Sequence, residues 1–336
     1  MSVVAQEILL NSRPTGAPTL DTFRSATRPL PATGDGQLLV RTLWMSVDPY
    51  MRGRMRDQPS YIAPFQVGEA LEGAAVGVVE ESRTEGFAKG DVVSHFSGWR
   101  DHALIDAQTA TKVDLAAAPA EAWLGPLGVP GFTAFVGLER FGALKAGETV
   151  FISATAGAVG SMAVQIAKAK GARVIASAGS DDKVAWVRQL GADEVINYKT
   201  TQDLTAALRK AAPEGIDVYF DNVGGSHLDA ALAAAKDSAR IVICGMIAGY
   251  NDEQPSETMH HLSAIIIKRL SVRGFIVLDH YDLYPEFSAA MIGWLKDGKV
   301  QSRDTVYDGL DNAPKAFLGL FSGDNTGKML VKLADR

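Results

Sequence analysis

Apolar positions fall into two textures along this chain. Up to about residue 125 they come in short alternating or β-branched runs, broken every few residues by Gly or Pro. Examples are "GQLLVRTLWMSV" (36–47), "EGAAVGVVEES" (72–82) and "GDVVSHFSGWRDHALI" (90–105). Such runs predict strands, and a series of them predicts a β-rich, barrel-like module. Between 148 and 277 the strand-like runs "ETVFISA", "ARVIASA", "DEVINY", "IDVYFDNV", "ARIVICG" and "LSVRGFIV" alternate with stretches of helical spacing. In the first of these stretches, "AVGSMAVQIAKAKG", one face carries Val159, Met162, Ala163, Ile166 and Ala167, and Gly171 stops the helix. Six strands separated by helices predict an α/β fold with a doubly wound parallel sheet, the Rossmann arrangement. After about 298, "DTVYDGL", "NAPKAFLGLFSG" and "GKMLVKL" return to the first texture. The predicted organisation is a β-rich module at 1–125, a sheet-and-helix domain at 126–297, and a return at 298–336 that completes the first module.

Composition narrows the class. A chain of 336 residues exceeds one ordinary core, in keeping with two domains. Charged residues at 21% and hydrophobic ones at 47% describe a globular protein. A net charge of −6 argues against nucleic acid or an anionic membrane as the main partner. No apolar run approaches the roughly 18–20 residues of a membrane span. The opening "MSVVAQEILL" lacks the basic region and cleavage site of a signal peptide, so a cytoplasmic enzyme is expected. The single cysteine, Cys244, rules out an intramolecular disulfide and any cysteine-rich zinc site.

The stretch "FISATAGAVGSMAVQ" (151–165) runs from strand into helix through small residues. That context makes a dinucleotide fingerprint credible, although G-x-G-x-x-G spacing falls on Thr155, Gly157 and Gly160, with its first glycine absent. Gly157 would let backbone approach a pyrophosphate, and Gly160 would let the helix pack close to the sheet. The helix N-terminus offers unpaired N–H groups to phosphate. The plain alternative is a tight strand–helix turn with no ligand.

An NAD enzyme places an acid on the ribose about 20 residues further on. Here the second strand ends in Ser177, Ala178, Gly179 and Ser180, all small, and Lys183 follows within one turn. A lysine there suits a 2′-phosphate, which favours NADPH over NADH. Asp181 and Asp182 read as the acidic first turn of the next helix, or as partners of an NAD ribose. Later strands end in "FDNVGG" (220–225) and "CGMIAGY" (244–250). Ligands of open parallel sheets sit beyond the strands' carboxyl ends, so Asn222 and Tyr250 are placed for the nicotinamide side. Each also reads as a turn residue or a ring covering a sheet edge.

These residues resemble a known family. "TAGAVGSMAVQIAKAKGARVIASAGSDDKV", "GADEVINYK", "YFDNVGG" and "CGMIAGYN" are similar to the cofactor domain of the medium-chain dehydrogenase/reductase superfamily. "SVDPYMRGRM" (46–55) and "GDNTGKMLVK" (323–332) narrow the resemblance to a zinc-free branch, that of prostaglandin reductases, plant alkenal double-bond reductases and bacterial curcumin reductases. The resemblance covers nearly the whole chain. It implies a GroES-like N-terminal barrel closed by the C-terminal tail, with a Rossmann domain between. It further implies pyrophosphate contacts at Gly157, Ala158, Val159 and Gly160, and a 2′-phosphate end at Lys183 and Tyr198. The rest of the cofactor groove would be lined by Asn222, by Cys244, Gly245, Met246, Ile247 and on to Tyr250, by Phe275, Ile276 and Val277, and by Asn325. By the same resemblance Thr133 in "GVPGFTAF" lies near the nicotinamide, Tyr50 and Tyr250 face the substrate, and the protein is a homodimer. The segment 251–265 has a single proline, Pro255, where relatives are often proline-rich, which bears on pocket shape.

Zinc alcohol dehydrogenases of that superfamily polarise a carbonyl with a metal held by two cysteines and a histidine. Here "VDPYMRG" stands at the first ligand position, and "VGEALEG" (67–73) has no histidine. His95 and His102 lack a third ligand and read as structural, and His260 and His261 read as a solvated helix start. Without a Lewis acid a conjugated enone is the easier acceptor. Hydride goes to its β-carbon, and the distant oxygen becomes an enolate that needs only hydrogen-bond donors. Tyr250, the cofactor's ribose hydroxyl, or both are expected to support it, with Tyr50 orienting the acceptor. Arg52, Arg54 and Arg56 could attract an acidic substrate but read rather as a solvated face or as partners of local acids. Trp99, Phe96 and Phe65 read as core, and Asp48 and Glu72 lack the partner that would mark an acid–base pair. The leading expectation is NADPH-dependent enone or enal reduction. The alternatives are a quinone oxidoreductase and a redox-inactive NADPH sensor.

Overall fold

The computed structural model describes residues 3–253 and 258–336, so Pro255 lies outside the described residues. The chain forms two compact units. One comprises 1–124, 304–325 and 329–336; the other comprises 125–303 and 326–328.

The first unit opens with β1 (Val4–Leu10) and β2 (Phe23–Pro29), paired antiparallel along their whole length. Then come β3 (Gln37–Ser46), the one-turn helix α1 (Met51–Arg54), β4 (Ala75–Ser82), β5 (Val92–His95), β6 (His102–Asp106) and β7 (Thr111–Lys112). The strand β3 does not alternate in burial as a half-exposed strand would. It pairs with both β4 and β6, and its residues feed two separate cores. Leu38 and Val40 join Val79, Val93 and Ile105, whereas Met45 packs with Ile8, Leu71 and Trp99.

The second unit carries α2 (Val129–Val136), β8 (Thr149–Ile152), α3 (Ala158–Ala169), β9 (Arg173–Ala178), α4 (Asp181–Gln189) and β10 (Glu194–Asn197). It continues through α5 (Leu204–Ala211), β11 (Ile216–Asp221), α6 (Gly225–Ala234), β12 (Ala235–Ile243), α7 (Ala264–Ile267), β13 (Ser271–Gly274) and α8 (Tyr284–Lys296). The six strands form one parallel sheet in the order β10-β9-β8-β11-β12-β13, the doubly wound arrangement that the alternation of strand and helix predicts.

Two departures from the sequence pattern have physical causes. Residues 160–167 of α3 are buried on every side, because α2 covers the face turned away from the sheet. The last predicted strand, 270–277, is cut to Ser271–Gly274, and Phe275 instead stacks on Phe141 with ring centres 4.8 Å apart.

The chain then re-enters the first unit through β14 (Asp304–Asp308), α9 (Ala313–Ser322) and β15 (Lys328–Lys332), which pairs antiparallel with β3. Burial of aromatic area drives this return. Phe317 of α9 meets the edges of Phe23 and Trp99, themselves stacked at 5.8 Å, and Phe317 and Trp99 are fully buried. Trp99 and Phe65 are thus core residues, as read, but Phe96 is exposed. No described helix is long and apolar enough to cross a membrane.

Candidate active site

The turn after β8 carries its left-handed residue one position before the missing first glycine of the fingerprint. Ala154, not Thr155, adopts a left-handed backbone with φ +51°. Thr155 is tied to the end of β9, its N–H and its hydroxyl both donating to the Ser177 carbonyl at 3.0 and 2.8 Å. Gly157 N–H donates to the Ala154 carbonyl at 3.0 Å, and Gly157 caps α3 with extended backbone. A Cβ on Gly160 would overlap that same carbonyl, so helix and turn approach as closely as a phosphate-binding turn requires. Ala158 and Val159 open the helix, half-buried. A second chain segment braces the turn, with Gly327 N–H donating to the Ala156 carbonyl at 2.7 Å and Gly327 bridging Gly157. Nothing in the local sequence signals this brace, which joins residues about 170 apart.

At the ends of β9 and β10, Ser180 caps α4 and accepts from the Lys183 N–H. Asp181 accepts from the Asn197 side chain at 2.7 Å, which supports its reading as a first-turn acid. Lys183 therefore sits on the first turn of α4, as its spacing predicts. Tyr198 hangs from the end of β10 through Tyr198 N–H to the Ala178 carbonyl. Its ring rests edge-on against His227, 5.0 Å between centres, and its hydroxyl crosses Gly179. His227 is buried with both ring nitrogens unpartnered among the described residues, and burial lowers its pKa to about 4.

Strand order reverses between β8 and β11, and here two strand ends are knitted together. The Asn222 amide donates to the Ser153 carbonyl at 2.8 Å, and the Asn222 N–H donates to Ser153 Oγ at 2.9 Å. Behind Asn222 lies Asp221, fully buried, a residue the sequence reading passes over. Its Oδ1 accepts from Tyr219 Oη at 2.6 Å, from Val223 and Gly224 N–H at 2.8 Å each, and from Ser153 Oγ at 3.3 Å. Burial raises the carboxyl pKa, and these donors oppose it. The available signal was an acid at the carboxyl end of an otherwise apolar strand.

The turn 244–250 is held on the same support. Cys244 and Gly245 donate to the Asp221 carbonyl at 2.9 and 3.0 Å, Ile247 to Asn222 at 3.3 Å, and Ala248 to Val223 at 3.1 Å. Met246 is exposed. Burial, then the nearby Asp221, pushes the Cys244 thiol up to about 12, so it is neither thiolate ligand nor nucleophile near neutral pH. Tyr250 ends the short helix Ile247–Gly249 and folds back over its own turn, its hydroxyl accepting from Met246 N–H at 3.5 Å. Burial raises its pKa, so it remains a protonated donor. Phe275, Ile276 and Val277 leave the end of β13, and Thr133 is buried in α2.

Tyr50 and Asn325 belong to the first unit. Tyr50 precedes α1, and its Oη is buried without a hydrogen-bond partner among the described residues. Burial, reinforced by Asp48, raises its pKa well above the ordinary phenol value. The arginines beyond it correct the solvated-face reading, because Arg52 and Arg54 are buried. Arg52 donates to the Gly16 carbonyl at 2.6 Å. Arg54 lies 4.0 Å over the Phe65 ring and pairs with Glu72 at 2.9 Å, the local-acid alternative.

His95 is buried on β5, and His102 lies between Asp101 and Glu80, both in structural settings. His260 is exposed and His261 half-buried just ahead of α7, where both N–H groups donate to Asp229 and the His261 ring pairs with it at 2.8 Å. Among the described residues no three His, Cys, Asp or Glu side chains gather as a metal site.

A parallel sheet in this order, with its small-residue turns ranked along the carboxyl ends, defines a dinucleotide-dependent oxidoreductase fold joined to a β-rich unit. Residues 6–113 match the family described as the N-terminal domain of oxidoreductase, and 158–296 match the zinc-binding dehydrogenase family. The chain is 44% identical to a 2-alkenal reductase (NADP(+)-dependent) of Nicotiana tabacum, over 90% of this chain and 88% of that one. It is 39% identical to the NADPH-dependent curcumin reductase of Escherichia coli, over 97% and 96%. Among solved structures, CurA in complex with NADPH from Vibrio vulnificus matches with a TM-score of 0.92 at 39% identity, over 98% of this chain and all of that one. The chain belongs to the medium-chain dehydrogenase/reductase family, in the branch that contains the alkenal, curcumin and prostaglandin reductases.

Proposed function

We propose that this protein reduces the carbon–carbon double bond of α,β-unsaturated ketones or aldehydes, with NADPH as reductant and no metal. The reading rests on the row of strand-end turns, above all the placing of Tyr250 on the turn bonded to Asn222 and Val223 where the sheet reverses. Relatives named for alkenal and curcumin reduction with NADP support it.

The residues fit a dinucleotide phosphate. Gly160 lets the helix close on the Ala154 carbonyl where a Cβ would clash, Gly157 lets backbone approach the pyrophosphate, Ala158 and Val159 open the helix toward phosphate, and Lys183 and Tyr198 are assigned the 2′-phosphate. Asn222, Cys244 to Ile247, Phe275 to Val277, Thr133 and Asn325 are assigned the rest of the groove. When bound, NADPH supplies hydride to the β-carbon of the acceptor. Tyr250 then donates its hydroxyl proton in a hydrogen bond to the acceptor oxygen, which gains charge as the double bond is reduced. Its raised pKa keeps that proton in place. Tyr50, whose buried hydroxyl has no hydrogen-bond partner among the described residues, orients the acceptor.

A homodimer forms through β13, which ends the sheet beside the exposed side chains of Ile266, Ile267 and Val272. The protein acts in the cytoplasm.

The decisive assay follows NADPH and NADH oxidation against a linear enal, an aryl enone, a cyclic enone, a quinone and a saturated ketone. NADPH-selective turnover of enals and enones, with the saturated ketone inert, is the expected result. Turnover of the quinone alone would move the protein to quinone reduction. NADPH binding without turnover would make it a sensor.

A further inference from the structure

We infer that Asp221 is the positioning residue for Tyr250, and that it acts through backbone rather than by touching the reacting atoms. The inference rests on the reading of Tyr250 given above.

Asp221 occupies the last position of β11 and is fully buried. A carboxylate there is costly to desolvate unless its bonds return something that weaker acceptors cannot. All four of its bonds fall on Oδ1, while Oδ2 is buried with no partner among the described residues. The asymmetry shows what the group is arranged to do. Two of the four donors are consecutive backbone N–H groups, Val223 and Gly224, which a charged acceptor holds more firmly than a neutral one. The other two, the Tyr219 and Ser153 hydroxyls, come from the sheet interior and fix the carboxylate's own rotamer. Tyr219 is in turn fully buried and stacked on Phe151 at 5.0 Å.

From this fixed point the constraint runs forward through a series of backbone bonds of 2.9 to 3.3 Å. The Asp221 carbonyl holds Cys244 and Gly245, and the Asn222 and Val223 carbonyls hold Ile247 and Ala248. The helical turn Ile247–Gly249 delivers Tyr250, whose N–H returns to the Ile247 carbonyl at 3.3 Å. The backbone that carries the proposed donor hydroxyl is thus registered on the 221–224 turn and not on its own strand. A loop of this length would otherwise place a phenol only loosely, and loss of about 1 Å in placement costs about 100-fold in rate.

A double-mutant cycle tests this. Asp221→Asn keeps the shape and one acceptor oxygen but removes the charge and buries an amide N–H₂ where Oδ2 now lies. At saturating NADPH and enone, D221N is expected to lower kcat about ten-fold, and Y250F by roughly tens- to hundreds-fold. If Asp221 works through Tyr250, D221N/Y250F falls no lower than Y250F by more than about two-fold, because the misplaced hydroxyl is already gone. A general weakening of the fold gives the other result, in which the two losses multiply, and that overturns the inference. Wild-type kcat in folded D221N overturns it equally. Should D221N not fold, Tyr219→Phe replaces it in the cycle, since it removes the 2.6 Å bond to Oδ1 and the 3.1 Å bond to Ser153 Oγ but leaves the carboxylate, and is read the same way. A Y250F enzyme with normal kcat removes the Tyr250 reading and this inference with it. A slow Y250F with multiplying losses removes the inference alone.

Discussion

The phenol of Tyr198 crosses Gly179 so closely that a Cβ on Gly179 would stand 2.7 Å from its hydroxyl and 3.0 Å from Cζ. Gly179 occupies the strand end where an NAD enzyme carries its acid, so the ring fills the space that acid would need. His227 backs the ring and limits its retreat. Gly179→Ala is expected to raise the KM for NADPH at least several-fold and leave the KM for the enone unchanged. Lys183→Ala should weaken NADPH by about ten- to a hundred-fold, the loss of one charge-assisted contact, and barely alter NADH. Fluorescence titration of both cofactors checks this, and equal losses for the two would remove Lys183 from the 2′-phosphate.

The turn at 154–160 gives a pair of opposite outcomes. Gly160→Ala drives a methyl into the Ala154 carbonyl and should abolish NADPH binding, or cost about 1–3 kcal/mol of stability as overpacking. Ala154→Gly releases a left-handed alanine and should stabilise by about 1 kcal/mol, with NADPH affinity intact. Chemical denaturation with and without cofactor separates the two effects.

Acid should weaken the fold well before the carboxylates titrate. His95 and His227 both have folded-state values near 4, lowered from 6.5 by burial, with Arg100 adding to the effect at His95. The unfolded chain therefore binds protons that the folded chain refuses. Stability is full above about pH 6.5 and falls as pH drops toward 4, by up to roughly 3 kcal/mol per histidine. His227→Phe places a third apolar ring between Phe151 and Tyr198 and should flatten part of that slope while raising Tm at pH 5. An unchanged slope would show that His227 is not its source.

Tyr250→Phe should reduce turnover by tens- to hundreds-fold with at most a few-fold loss of NADPH affinity, since the ring stays and only the donor goes. Tyr50→Phe removes a hydroxyl with no hydrogen-bond partner among the described residues, so its effect should fall on the KM for the enone. Steady-state kinetics with one enal and one aryl enone resolves the two.

Charges at the exposed edge test assembly. Ile266→Asp with Ile267→Asp alters side chains that are 83% and 68% exposed, so the monomer's stability should not suffer. Sedimentation should report a shift from dimer to monomer. A wild-type protein that is itself monomeric ends the proposal.

Much of this was legible in order and spacing. The six apolar runs between 148 and 277 appear as the six strands of one sheet, and Lys183, Tyr198, Asn222 and Tyr250 stand at strand ends or on the turns that follow. Strand ends are readable because apolar runs stop where small and polar residues begin. Less legible were features whose causes are remote. The left-handed backbone at Ala154 had no signal in the glycine pattern, which does not report φ. Arg52 and Arg54 looked solvated, since a charged residue's default is exposure, and only the Gly16 carbonyl and the Glu72 pair explain their burial. The edge of β13 was overestimated because Phe275 has a better partner in Phe141 than in a strand.

By itself the sequence determined the alternation of strand and helix, the small-residue turns, the missing ligand set for zinc and the family that these define. Those depend on local spacing and residue type, which a chain carries whether folded or not. Only the tertiary structure decided that Gly327 braces the phosphate turn, that Tyr198 closes over Gly179, and that Asp221 carries the turns of Asn222 and Tyr250 together. Gly327 and Ala156 stand 171 positions apart, Asp221 and Cys244 23, and Tyr198 and Gly179 19, and the contacts between them are made only when the folded chain brings these segments side by side.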